Sequence, residues 1–214
     1  MEKPILATNI DGSLINHEAF FEPHRIWFDR AILLTKDESL NKWKGQKDYF
    51  IGVDKAMEKI IPNATKEERT TQARKWYQED VIHYIKNHPE LVNTKVKEIF
   101  LKLKSKYRLA LVTSNTKEHI NEILVAANLK KVFDIIFATD ISEKPVKSVL
   151  FEKFTKQYGK SLVYIAAKNR EAWEDCSRLS IITVYAGWDK PVPELEKKAD
   201  IVLKDKNMLL KLKL

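Results

Sequence analysis

Cysteine is almost missing from this chain. Cys176 is the single one among 214 residues, which excludes an intrachain disulfide and a cysteine-based zinc cluster and fits a reducing cytosol. Its simplest role is that of a small buried apolar residue. No apolar run approaches the ~18 residues that a membrane span requires. The opening Met1-Glu2-Lys3-Pro4 lacks the basic-then-apolar pattern of a secretory leader. No internal repeat or low-complexity segment is visible. The expectation is a soluble, cytoplasmic protein with no membrane partner.

Hydrophobic residues make up 44% of the chain, enough to bury a core, so intrinsic disorder is excluded. The net charge is +8, and its distribution decides what it means. The balance is neutral over 17–93 and reaches +6 over 94–133. In that second stretch Lys95, Lys97, Lys102 and Lys104 alternate with Val96, Ile99, Phe100 and Leu103. The apolar residues recur at i, i+3, i+4 and i+7, one face of a helix, so the lysines form its solvated face. No aromatic stands among the charges on that solvated face and no glycine loop accompanies it, unlike a nucleic-acid footprint. No nucleic-acid partner is expected.

The periodicity changes along the chain. Pro4 to Thr8 reads as a buried strand that ends in the turn sequence Asn9-Ile10-Asp11-Gly12-Ser13. Residues 17–93 show only helical patterns and hold ten of the 21 Phe, Trp and Tyr residues. Trp27, Trp43 and Trp76 are candidates for the core of this part. Ala73, Trp76, Tyr77, Val81, Tyr84 and Ile85 share one helical face, and Thr65 to Glu68 is a candidate capping box at its start. His83 and His88 are five apart and so fall on different faces, which excludes a metal pair. Further strands are predicted at 108–113, 133–138, 162–165, 181–185 and 200–203. Helices between them span 116–129, 145–158 and 171–178, the second with Val146, Val149, Leu150 and Phe154 inward. Strand–helix alternation with short links demands a parallel sheet. The predicted architecture is a doubly wound α/β core, residues 1–16 and 94–214, interrupted after its first strand by an all-helical insert, residues 17–93.

In such a sheet, ligands bind beyond the carboxyl ends of the strands. The first strand is followed by Asn9, Asp11, Gly12 and Ser13, and the second by Thr113, Ser114 and Asn115, read as the start of a helix. Lys144-Pro145 lies downstream of the third, and Ala166-Ala167-Lys168-Asn169 with Glu171 follows the fourth. These four segments, in this order, resemble the motifs of the haloacid dehalogenase-like (HAD) hydrolase superfamily. Asn9-Ile10-Asp11-Gly12-Ser13-Leu14 is similar to its Asp-x-Asp-Gly-Thr-Leu motif. Leu111 to Asn115 is similar to the second motif, Lys144-Pro145 to the third, and 165–171 occupies the place of Gly-Asp-x-x-x-Asp. The insert resembles the helical cap of the subfamily that includes phosphoglycolate phosphatase and β-phosphoglucomutase. The resemblance implies a Rossmann-like HAD core with the cap threaded through it.

It also implies roles. In the family the first Asp attacks phosphorus and forms an aspartyl-phosphate, and the Asp two residues on is the general acid and base. A hydroxyl of motif two and the lysine of motif three hold the phosphoryl oxygens. Mg²⁺ sits between the nucleophile, a backbone carbonyl and an acid of motif four. Carried over, Asn9 takes the nucleophile's place and Asp11 the acid–base place. Gly12, Thr113, Ser114 and Lys144 form the anion site, and Glu171 is the acid remaining near the metal position. Asn9 is uncharged and weakly nucleophilic, and Ala167 offers no ligand oxygen where the family has Asp. Loss of a catalytic nucleophile costs on the order of 10⁶ in rate. The expectation is a non-catalytic or very weak phosphatase relative that binds a phosphorylated or anionic small molecule between core and cap, with Mg²⁺ binding weak or absent. The alternatives are an active phosphatase with an atypical site or an engineered Asn9, and a protein-interaction scaffold.

Overall fold

The computed structural model describes residues 3–46, 48–139, 147–160, 163–167 and 170–212, without the side chains of residues 147, 170 and 171. Two compact units emerge: one is Met1–His17 with Glu90–Leu214, the other Glu18–Pro89.

The first unit is built on β1 (Ile5–Thr8), β2 (Arg108–Thr116), β3 (Ile135–Thr139), β4 (Val163–Ala166), β5 (Ile182–Ala186) and β6 (Ile201–Leu203). They form one sheet in the order β3-β2-β1-β4-β5-β6, and every ladder is parallel. This is the doubly wound order, whose direction reverses between β1 and β4; the crevice opens there. Strands buried on both faces need continuous apolar runs, and β1 and β4 are buried along their full length. The helices of this unit are α4 (Thr94–Leu103), α5 (Lys117–Ala126), α6 (Lys147–Tyr158), α7 (Arg170–Arg178) and α8 (Pro193–Lys198). In α4 the lysine-rich segment buries Val96, Ile99, Phe100 and Leu103, as its periodicity predicts, and the Asn93 side chain caps it by accepting from Val96 N–H.

One face of the sheet carries Ile5, Ala7, Ala110, Val112 and Tyr164 against Leu150, Phe151 and Phe154 of α6 and Cys176 of α7. Cys176 is fully buried. Helix α6 corrects one expectation. Val149, predicted inward, is 46% exposed, while Phe151 is fully buried. The helix is rotated so that the larger Phe151 side chain meets Tyr164 edge-on at 4.9 Å, which removes more apolar area from water than Val149 would.

A polar clasp joins the chain ahead of β6 to β5. Thr183 donates its N–H and its hydroxyl to Asp200 Oδ2, each at 2.7 Å, and Asp200 N–H donates to Thr183 Oγ1 at 3.1 Å. The Thr183 hydroxyl, and then its backbone N–H, hold the Asp200 carboxyl below its ordinary value. A depressed carboxylate contributes stability that is complete above its unfolded pKa of about 3.9 and fades as the pH falls through the folded value. Asp200→Asn is therefore expected to lower the urea midpoint at pH 7, modestly because the side chain is exposed. The deficit should shrink below about pH 4. A deficit of equal size at pH 7 and pH 3 would contradict this.

The second unit is all-helical among its described residues: α1 (Glu18–Thr35), α2 (Tyr49–Ile60) and α3 (Lys66–Asn87), with a short 3-10 helix at Glu38–Trp43. Its core holds Trp27, Phe28, Leu40, Met57 and Ala73, with Trp43 and Trp76 packed against it. The capping box of α3 is formed: Glu68 N–H donates to Thr65 Oγ1 at 3.2 Å, and Thr65 N–H donates to Glu68 Oε2 at 2.7 Å. His83 and His88 do not pair. The first contacts Asn87 and the second packs on Tyr84. No helix among the described residues is long and apolar enough to cross a membrane.

Candidate functional site

The site is assembled at the carboxyl ends of β1 and β4, where the sheet order reverses. Asn9 N–H donates to Ile165 O at 3.1 Å, so the β1–β4 ladder runs one residue past β1 before the chain turns. The turn is then built from its own side chains. Asp11 N–H donates to Asn9 Oδ1 at 2.6 Å, the local bond for which Asn and Asp are favoured in turns. Ser13 Oγ donates to Asn9 O at 2.5 Å, and Gly12 N–H donates to Ile15 O at 2.7 Å.

Gly12 is required here on two grounds. Its φ is +72°, a region that L side chains rarely adopt. A Cβ at this position would also stand 2.6 Å from the Cβ of Ala167, well inside van der Waals contact. Ala167 is itself 1% exposed. The first motif and the fourth thus meet with Gly12 against Ala167, and Asp189 Oδ2 lies 3.5 Å from the same Cβ position.

Asp11 is the acid of this turn. Its two carboxylate oxygens lie 2.9 and 3.1 Å from Nδ1 of His17, and the pair is about a quarter exposed. His17 is tied down in turn, because its backbone N–H donates to Asp189 Oδ2 at 2.8 Å. Trp188 Nε1 donates to Ser13 O at 3.1 Å. The loop after β5 therefore clamps the turn after β1. The sequence reading missed His17, Trp188 and Asp189. A usable signal existed for the last two: they follow the carboxyl end of a fifth strand, under the same rule that singled out the other four. His17 carries no periodicity, and only its contact with Asp11 marks it.

The second motif corrects an expectation. Ser114 to Thr116 do not begin a helix; β2 continues through Thr116. A register irregularity between Val112 and Thr116 lets the strand continue beside β3. The Thr139 hydroxyl bridges Ser114 O and Asn115 O at 3.1 and 3.0 Å, which holds the segment extended. Thr116 then caps α5 by accepting from His119 N–H at 3.3 Å. The helix N-terminus thus lies beyond the motif. What Thr113 and Ser114 offer an anion is a strand end, not a helix dipole. Thr113 is nearly buried, and its Oγ1 accepts from the Asn115 N–H and Nδ2 at 3.2 and 3.1 Å. Since Thr8 is level with Leu111, the parallel register carries Thr113 to the same end of the sheet as the turn.

Lys144 lies outside the described residues, and Glu171 is the second residue of α7 with its side chain outside them. Among the described residues no group of three or more His, Cys, Asp or Glu side chains could hold a metal ion. Around the turn, the Asn9 side-chain oxygen accepts from the Asp11 N–H, the Ala167 side chain has no donor atom, the Asp11 carboxylate contacts His17 Nδ1, and the Asp189 carboxylate accepts from the His17 N–H.

A doubly wound parallel sheet with a turn of Asx type at its reversal point, followed by a helical insert, defines a Rossmann-like α/β protein interrupted after its first strand. The chain belongs to the haloacid dehalogenase-like hydrolase family, whose model matches residues 11–163. The matched segment opens at Asp11 and closes at Val163, so Asn9 and Ala167 flank it. A phosphoglycolate phosphatase from Aquifex aeolicus is 34% identical over 146 residues, 64% of this chain. The match spans 61% of that relative's length. Among solved structures, a haloacid dehalogenase-like family hydrolase from Streptococcus pneumoniae superposes with a TM-score of 0.67 at 13% identity, covering 98% of this chain and 97% of that one. A HAD hydrolase from Bacillus subtilis, solved bound to magnesium, gives 0.63 at 11% identity, covering 99% and 100%. Those two likenesses show the fold.

Proposed function

We propose that this protein is a phosphatase relative that binds a small phosphorylated or otherwise anionic molecule at the end of β1 and hydrolyses it very slowly or not at all. The observation that carries the reading is the turn itself. An amide stands at the nucleophile's position with its oxygen committed to Asp11 N–H at 2.6 Å, and a buried alanine stands where the family has a metal-binding acid.

The physical consequence runs in one direction. A carboxylate next to a phosphate dianion is repelled by about 4 kcal/mol per pair of unit charges at ~4 Å, with an effective dielectric of ~20. Hydrolases offset that repulsion with Mg²⁺ and recover it in chemistry. An amide removes the repulsion and the nucleophile together. With its oxygen engaged, Asn9 presents an N–H donor instead. Thr113, Ser114 and Lys144 add hydroxyls and a positive charge, and Asp11 stays paired with His17. Such a set favours the bound ground state over the transition state, which is binding without acceleration. Mg²⁺ is bound weakly or not at all, because Asn9 and Ala167 stand where the family has metal-binding acids.

Thermal unfolding with increasing inorganic phosphate in EDTA tests the reading. The midpoint should rise with phosphate, by mass action on the folded state alone. The rise should be unchanged when Mg²⁺ replaces EDTA, and lost in Thr113→Val and Lys144→Ala. No rise, or a rise that requires Mg²⁺, would overturn it.

A further inference from the structure

Helix α4 buries Val96, Ile99, Phe100 and Leu103, but its outer face is not wholly polar. Leu101 is 40% exposed. At 3.6 residues per turn it stands about 150° from the middle of the buried stripe, at the crest of the solvated face. Lys97 lies one turn before it, and the exposed Lys95 and Lys102 flank it on the other side. A 3-10 helix, Lys206–Lys211, packs against α4. It buries Leu209 and exposes Met208 at 39% and Leu210 at 46%, between a lysine at each end.

The lysines of this face differ from their neighbours. Lys104 and Lys204 pair with Asp134 and Glu196 at 2.9 and 3.0 Å. Lys95, Lys97, Lys102, Lys206 and Lys211 form no ion pair among the described residues. Glu98 is the one acid in α4, and the 3-10 helix contains none. Asp205 ahead of it is engaged as a cap, accepting from Asn207 N–H at 2.8 Å.

A convex surface with apolar side chains among unpaired cations sets two demands at once. The partner must take apolar groups out of water and surround them with negative charge. A nucleic acid supplies the charge but would leave the leucines wet, and the face offers it no aromatic to stack on. A second copy would set lysine against lysine on two molecules of net charge +8. An anionic bilayer meets both demands, since its headgroups lie at the level of the ammonium groups while the acyl boundary takes the apolar side chains. We propose that this face rests on an anionic lipid surface, with Leu101, Met208 and Leu210 entering the headgroup boundary. The protein then lies on the bilayer without crossing it. The lack of an apolar span bears only on crossing, and the expectation of no membrane partner narrows to that.

Co-sedimentation of the whole protein with sucrose-loaded vesicles tests this. It should pellet in low salt with vesicles of equal parts phosphatidylserine and phosphatidylcholine, and stay in the supernatant with phosphatidylcholine alone. Binding should weaken steeply as salt rises. Lys95→Gln with Lys102→Gln should weaken it at least about tenfold. Leu101→Gln with Leu210→Gln leaves the charge unchanged and should also weaken it about tenfold, a loss that a purely electrostatic contact would not show. All four side chains are exposed, so both variants should keep the parent's unfolding midpoint, measured alongside. A duplex oligonucleotide titrated into the parent and the leucine variant separates a general polyanion surface from a lipid one. No pelleting with the anionic vesicles, equal pelleting with the neutral ones, undiminished vesicle binding in either variant, or equal weakening of oligonucleotide and vesicle binding in the leucine variant would overturn the proposal.

Discussion

Asn9→Asp combined with Ala167→Asp is expected to give a protein that hydrolyses phosphate esters with Mg²⁺, at a rate on the order of 10³ or more above the parent. The first substitution is nearly isosteric. It keeps an oxygen to accept the Asp11 N–H at 2.6 Å and restores an anion that can attack phosphorus. The second restores an oxygen ligand beside the turn. It also has a cost that can be measured separately. Ala167 is 1% exposed, and a buried carboxylate without a partner is strongly unfavourable. Ala167→Asp alone should therefore lower the unfolding midpoint in EDTA, and Mg²⁺ should recover part of the loss, because an ion bound only to the folded state stabilises it. Neither single substitution should reach the activity of the pair, since nucleophile and metal act as a unit. Activity from Ala167→Asp alone, with Asn9 in place, would show that the amide is not what blocks the chemistry.

Gly12→Ala is expected to be the most damaging small change in the site. The backbone at φ +72° costs an L residue roughly 1–2 kcal/mol. The added Cβ would also meet the Ala167 Cβ at 2.6 Å. That contact is backbone-anchored on both sides and cannot swing away, which adds about 1–3 kcal/mol of overpacking. A loss of roughly 2–5 kcal/mol in urea unfolding is expected from the two effects together, along with loss of phosphate-dependent stabilisation. The two causes can be separated. Gly12→Ala with Ala167→Gly removes the clash but leaves the φ strain, so it should recover the overpacking share only. Full recovery would mean that the backbone strain is negligible, and no recovery that the clash is.

Much of the fold was legible because strong local signals agreed with the tertiary structure. Short apolar runs such as Leu109 to Val112, with helical patterns on either side, read as buried strands, and the Thr65–Glu68 capping box is formed within four residues. Where local signal and tertiary contact competed, the sequence misled. The chain from Ser114 to Thr116 looks like a helix start, yet it stays extended because the hydroxyl of Thr139, some two dozen residues away, holds its carbonyls. Val149 has the right spacing to face inward, yet burial of the bulkier Phe151 turns the helix.

The site divides in the same way. Asn9, Asp11, Gly12 and Ala167 were readable because they lie where strands end, and Gly12 against Ala167 brings two motifs together as the strand order requires. The clamp of Asp189 on His17, and of Trp188 on Ser13, joins residues more than 170 apart in sequence. No pattern within either segment announces it. Asp11 consequently has a histidine partner that motif reading alone does not supply, and His17 is the last residue before the helical unit begins.

The most direct test is turnover by the unmodified protein across a panel of phosphate monoesters, with and without Mg²⁺, in a preparation freed of contaminating phosphatases. The account predicts no turnover above background with any ester, in either condition, while phosphate still stabilises the fold. Turnover at the ~1–10³ s⁻¹ typical of enzymes, abolished by Asp11→Asn, would contradict it.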